Sequence, residues 1–193
     1  MKNILVEIYK SPLTVFTLHD IALLAGSGTA NTLKSRVHYY VTGGKLLAVR
    51  KGIYAKEHYN RVELANKIYT PSYISLETVL QRENIIFQHY EVVFAVSYLS
   101  RELPSLKIRY RKIQDRILYH PMGLIKEDGY TIASRERAFL DALYLYGSYF
   151  FDNLSPLNPA GVFTLIEEVY KVKKIEKQVK GLFKKCLTWK NIV

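Results

Sequence analysis

Asn31, Lys34, Ser35, Arg36, His38 and Tyr39, with Thr29 and Thr32 among them, crowd hydrogen-bonding side chains into a short stretch of the chain. Amide, hydroxyl and guanidinium groups of this kind bond base edges and phosphates. A little further on, Arg50 and Lys51 precede Gly52 in "LLAVRKGIYA". Two cations at a tight turn suit phosphate, a contact that grips without reading sequence. A second basic row, Lys107, Arg109 and Arg111, alternates with Leu106, Ile108 and Tyr110. As a strand it points three cations one way, towards phosphate or an acidic partner. The plainer alternative is an ordinary solvated strand face.

Other chemistry is harder to find. His19, His38, His58, His89 and His120 show no metal-ligand spacing with each other or with Cys186. No phosphate-cradling Walker loop, Gly-x-Ser-x-Gly elbow or His-Glu-x-x-His helix is present. Gly147-Ser148 with Asp152 faintly echoes a nucleotidyltransferase, without the paired aspartates that hold two metals. Asp141 is expected to pair with Arg137 one helical turn earlier. No catalytic residue, metal site or cofactor is expected.

The elements that must position the first cluster follow from periodicity. Ile4, Leu5 and Ile8 make one face of a short helix. Thr17-Leu18-His19-Asp20 opens a second helix with a capping-box pattern, and Leu18, Ile21, Ala22, Leu24 and Ala25 form its apolar stripe. Gly26-Ser27-Gly28 interrupts it; with no preceding strand and no third glycine, this is a turn and not a dinucleotide loop. Ala30, Leu33, Val37, Tyr40 and Val41 then recur at helical spacing, leaving the polar cluster on the other face. Gly43-Gly44 stops this helix, and two short strands flank the Arg50-Lys51-Gly52 turn. Three helices and a basic hairpin spell a winged helix-turn-helix over residues 1–60, with double-stranded DNA as the partner. A plain amphipathic surface helix is the competing explanation for the polar face.

Residues 61–193 read as a mixed α/β domain with a helical tail. Val62, Leu64, Ala65 and Ile68 predict a linking helix, and within Tyr73 to Leu80 the Ser75 hydroxyl stands as a cap ahead of Leu76, Val79 and Leu80, predicting a further helix. Glu91 to Val96, Leu106 to Arg111 and Arg116 to His120 predict strands, and Asp128-Gly129 a hairpin turn before Tyr130 to Ala133. Ser134 caps a helix carrying Asp141. In the tail, Ile175, Val179, Leu182, Phe183 and Cys186 share an apolar stripe within a lysine-rich helix, so Cys186 is expected in the core.

The chain of 193 residues is 49% hydrophobic, ample for a packed core, and has a net charge of +11. Residues 1–61 carry nine Lys/Arg against three Asp/Glu, residues 62–160 eleven against eleven, and residues 161–193 eight against three. Basic ends around a neutral middle point to a polyanion met at the ends. No apolar run approaches the roughly 20 residues of a spanning helix, and the lone cysteine excludes an internal disulfide. A cytoplasmic protein without a membrane partner is expected.

Three segments resemble the AbiEi-like antitoxins of type IV toxin–antitoxin (abortive infection) systems. "LLAVRKGIYA" is similar to that family's wing, "PSYISLETVLQRENII" to its Tyr-x-Ser-x-x-Ser/Thr-Ala-Leu segment, and "YTIASRERAFLDALY" to its Ala-Ser-x-Glu-x-Ala-x-Leu-Asp segment. Val79 replaces a small residue and Arg137 a lysine, and the tail beyond Gly147 matches least. The resemblance implies an N-terminal winged helix that binds operator repeats and represses its own operon. It also implies a second domain that neutralises a nucleotidyltransferase-like toxin, for which Lys107, Arg109 and Arg111 are the candidate contact. A nucleic-acid-processing enzyme with an unread active site and a protein-binding adaptor remain open alternatives.

Overall fold

A computed structural model describes residues 3–26 and 30–190. The fold is mixed α+β and divides into two units, residues 1–70 with 126–130, and residues 71–125 with 131–193.

The first unit runs α1 (Ile4–Lys10), β1 (Val15–Thr17), α2 (Leu18–Ala25), α3 (Ala30–Thr42), β2 (Leu47–Arg50), β3 (Ile53–Ala55) and α4 (Arg61–Ile68). Its core is Ile4, Ile8, Phe16, Ile21, Leu33, Val37 and Leu46, the residues that helical spacing turns inward from three helices, joined by β1 and the approach to β2. Thr17 caps α2 through its side chain while the Asp20 carboxylate accepts the Thr17 N–H at 2.8 Å, closing the capping box. Gly26 ends α2 in the left-handed conformation.

β1 was not expected as a strand. It pairs antiparallel with β3, which pairs on its other edge with β2, so the sheet order is β1-β3-β2. Three residues are too few to show alternation. The strand also carries no turn signal, because Thr17 passes directly into the helix it caps.

The expected boundary at residue 60 falls inside this unit. α4 belongs to it because Glu63, 2% exposed, accepts the Thr14 N–H at 2.8 Å, the Thr14 hydroxyl at 2.6 Å and the Val15 N–H at 3.1 Å. Lys67, on the same helix, donates to Asp20 at 2.8 Å. These bonds and the opposing charge more than offset the cost of burying the Asp20 carboxyl and hold it below its ordinary range.

The second unit runs β4 (Ser72–Ile74), α5 (Glu77–Arg82), β5 (Val93–Ser97), β6 (Arg101–Leu103), β7 (Ile108–Lys112), α6 (Asp115–Leu118), β8 (Leu124–Glu127), β9 (Tyr130–Ala133), α7 (Arg135–Tyr146), α8 (Pro159–Leu165) and α9 (Lys173–Lys190). A π-helical turn over Ile166–Tyr170 follows α8. The strands form one mixed sheet in the order β6-β7-β5-β4-β9-β8, the tip of whose last hairpin groups with the first unit. All of β5 is buried, as its apolar run predicts.

Two expectations fail here, the first only in part. The helix carrying Val79 and Leu80 forms as α5 from Glu77, but its hydroxyl cap is missing and Ser72–Ile74 ahead of it is a strand. The intervening Leu76 has φ 55°, and no side chain caps the helix; the Ser75 hydroxyl that should have capped it bonds Asp141 at 2.7 Å. Arg116 to His120 is likewise no strand, since Asp115–Leu118 is one helical turn. Arg116 there donates to the carbonyls of Val169 (3.3 Å) and Tyr170 (2.7 Å), which the end of the π turn leaves open.

Asp141 and Arg137 are both fully buried on α7 and each favours the other's charged form, as expected, while their hydrogen bonds go to other partners. Asp141 meets three hydroxyls, Ser75 at 2.7 Å, Tyr170 at 2.7 Å and Tyr73 at 3.2 Å. Arg137 donates to the carbonyls of Ile117 and His120, each at 2.6 Å, and of Met122, and lies over the Tyr73 ring at 4.7 Å. Burial raises the Asp141 pKa, and the Arg137 charge opposes the rise.

On α9, Ile175 and Val179 are buried and Leu182 and Phe183 half-buried, whereas Cys186 lies outside the residues whose side chains are described. No helix among the described residues is long and apolar enough to cross a membrane.

Candidate nucleic-acid interface

The outer face of α3 is set by the inner one. Leu33 and Val37 are anchored in the core, so the positions a half-turn away face solvent. Asn31, Lys34, Ser35 and His38 fall at i, i+3, i+4 and i+7 and are all exposed, with Thr32 and Tyr39 flanking them. The Ser35 hydroxyl donates back to the Asn31 carbonyl at 3.1 Å, which leaves its lone pairs outward. The Tyr39 ring, 65% exposed, meets Tyr40 edge-on at 6.0 Å. Arg36 is half-buried and lines a hollow with Ile4, Ala22, Ala25, Gly26, Thr32 and Leu33, so it stands at the flank of the face and not at its centre. Thr29, together with Ser27 and Gly28, lies outside the described residues.

The hairpin places the second pair of cations. Gly52, at φ 78°, provides the left-handed residue that a two-residue reversal between β2 and β3 requires. The register slips between Ala48 and Arg50, a bulge that twists the end of β2. Arg50 stacks on the Tyr69 ring at 5.2 Å and reaches its hydroxyl at 3.3 Å, which fixes the guanidinium while leaving it exposed. Lys51 is fully at the surface of the turn.

Electrostatics adds what single side chains do not show. From residue 21 to residue 56 there is no Asp or Glu, against six Lys/Arg: Lys34, Arg36, Lys45, Arg50, Lys51 and Lys56. The helix face and the hairpin therefore share a field of one sign, in which a polyanion meets no carboxylate of this segment.

The second basic row is not assembled as expected. Lys107 ends a 3-10 turn in the left-handed conformation, outside the strand, and pairs with Glu91. Arg109 is half-buried, its guanidinium 2.9 Å from Glu102 and 5.5 Å from the Phe94 ring centre. Arg111 is half-buried near Glu77 and Tyr146. The reason is topological: β7 lies inside the sheet, between β6 and β5, so its alternate residues meet Glu102 and Phe94 on those neighbours and Glu77 from α5. Alternation alone does not distinguish an interior strand from an edge.

Among the described residues, no group of three or more His, Cys, Asp or Glu side chains is arranged to hold a metal ion. No family model matches this chain, and neither does any characterised protein with which it was compared.

Proposed function

We propose that the chain is a DNA-binding transcriptional regulator whose first unit is a winged helix-turn-helix, with α3 as the recognition helix and the β2–β3 hairpin as the wing. The observation that carries this reading is the acid-free stretch of residues 21–56, which joins an exposed amide- and hydroxyl-bearing helix face to a hairpin tipped by Arg50 and Lys51. Asn31, Lys34, Ser35 and His38 have the groups that read base edges, and the wing cations suit the flanking phosphates. The motif resemblance extends the proposal: the protein is an antitoxin that represses its own operon and neutralises a nucleotidyltransferase-like toxin.

Titrating the full-length chain into labelled duplex from upstream of its own gene at a series of salt concentrations tests the DNA half. The logarithm of affinity should fall with the logarithm of salt by about 0.9 per phosphate neutralised. Affinity that ignores salt rejects the interface. A fragment ending at residue 61 is unsuited to the test, since it lacks Glu63 and Lys67. Co-expression with a neighbouring nucleotidyltransferase-like gene tests the antitoxin half: growth should be restored by the full chain, and unrelieved toxicity rejects that role.

A further inference from the structure

Two of the most exposed large apolar side chains, Phe150 (81%) and Phe87 (68%), lie in the second unit and line one hollow with Tyr90, Tyr149, Ile86, Gln88 and Asp152. Exposed aromatic rings gathered at a concavity mark a binding surface more often than isolated ones do. These rings are also held in place. The Phe87 N–H donates to the Asp152 carboxylate at 2.8 Å, and the N–H groups of Asp152 and Asn153 donate to the Ile85 carbonyl at 3.0 and 3.1 Å. The Tyr90 N–H donates to Gln81 at 2.9 Å and its hydroxyl to Gln88 at 2.9 Å. The two loops are thus tied together with their phenylalanines outward.

The surroundings favour one class of ligand. Tyr149 lines a second hollow with Lys177, Gln178, Gly181, Leu182, Leu143 and Ser148, so the aromatic surface continues onto the lysine-rich face of α9. Lys173, Lys177, Lys180 and Lys184 recur there at helical spacing and are exposed, and Lys180 shares its charge with Glu176 at 2.5 Å. On the other side, Tyr90 packs edge-on against Phe94, over which Arg109 lies. Asp152, the acid of the hollow, is committed to the Phe87 N–H. Accessible π-faces beside a cationic track are the combination that binds unpaired bases and their phosphates.

We propose that the second unit binds single-stranded nucleic acid, stacking unpaired bases on Phe87 and Phe150 and guiding the backbone past Lys177. This activity is separate from duplex recognition by α3 and the wing.

The test uses the full chain carrying Lys51→Ala, so that any grip by the hairpin is constant, with labelled oligothymidylate and oligouridylate of about a dozen nucleotides. Fluorescence anisotropy should show binding, and the ratio of the two affinities assigns the site to DNA or RNA. Phe87→Ala with Phe150→Ala should weaken it about 10-fold or more while leaving duplex affinity and the circular dichroism spectrum unchanged. Phe150→Trp should retain binding and Phe150→Leu should lose it, because leucine keeps apolar area but has no π-face. Lys177→Glu should reduce the salt dependence. Absence of binding by the parent chain, full affinity of Phe150→Leu, or a double variant that only converts a dimer to a monomer in sedimentation overturns the proposal.

Discussion

Replacing Arg137 by methionine isolates the buried polar centre of the second unit. Methionine approximates the length of the arginine stem but donates nothing, so the carbonyls of His120 and Met122 lose the guanidinium donor and that of Ile117 keeps the His120 N–H. Asp141, fully buried, loses the cation that favours its ionised form and keeps only the hydroxyls of Ser75, Tyr73 and Tyr170. Breaking one side of a buried charge arrangement costs about 3–5 kcal/mol. At about 3–6 °C per kcal/mol for a unit of intermediate size, its transition should fall by roughly 9–30 °C. Differential scanning calorimetry is the suitable assay, because two units need not melt as one. The loss should also depend on pH. Burial already raises the Asp141 pKa above its ordinary 3.8, and removing Arg137 raises it further. Above the parent's own raised folded pKa, the folded variant still holds a proton that both the parent and the unfolded chain have released, so the deficit should widen as pH rises through that window. A deficit below about 1 kcal/mol, the worth of one neutral hydrogen bond, refutes the reasoning, and so does one that is flat with pH.

Three further perturbations probe the rest of the frame. Asp20→Asn removes the ionised partner of Thr17 and Lys67 and should cost about 0.5–2 kcal/mol in urea unfolding. Because the folded Asp20 pKa is depressed, its contribution is complete above 3.8 and disappears as pH falls through the lower folded value, so variant and parent midpoints should converge in acid. Gly129→Ala should destabilise the first unit by about 1–3 kcal/mol, since φ is +86° and the new Cβ meets Glu63 at 2.8 Å; an unchanged melting profile contradicts the packing of that hairpin tip. Reversing Lys107, Arg109 and Arg111 to glutamate should lower the melting temperature of the second unit, because Arg109 and Arg111 face Glu102 and Glu77; a folded variant of unaltered stability shows that the row is free after all.

Local chemistry was legible in the sequence, and assembly was not. The Thr17–Asp20 capping box, the Ser134 cap, the α3 stripe of Leu33 and Val37, and the Gly52 and Gly129 turns are each specified within a few residues, and each lies where periodicity and turn chemistry put it. The misread elements depend on partners far along the chain. Ser75 reads as a helix cap until Asp141, 66 residues away, takes its hydroxyl. Arg116 reads as strand until the π turn presents its carbonyls, and β1 exists only because β3 pairs with it. For the candidate interface, exposure of Asn31, Lys34, Ser35 and His38 followed from the stripe beneath them, whereas the half-burial of Arg36 needed the hollow beside α2. The buried Arg137–Asp141 centre had a faint signal in the four-residue spacing on one helix and the two-residue spacing of Tyr73 and Ser75. Nothing in either spacing says that the two pairs meet.

The most direct measurement compares Asn31→Ala and Lys51→Ala in the full chain, each titrated against the upstream duplex and a random duplex of equal length. Asn31, in the first turn of the exposed α3 face, should lose about 1–3 kcal/mol on the upstream sequence and little on the random one. Lys51, at the hairpin tip, should weaken both alike and reduce the salt slope by about 0.9. Identical behaviour of the two variants on both duplexes, or undiminished binding in both, contradicts the assignment of reading to the helix and gripping to the wing.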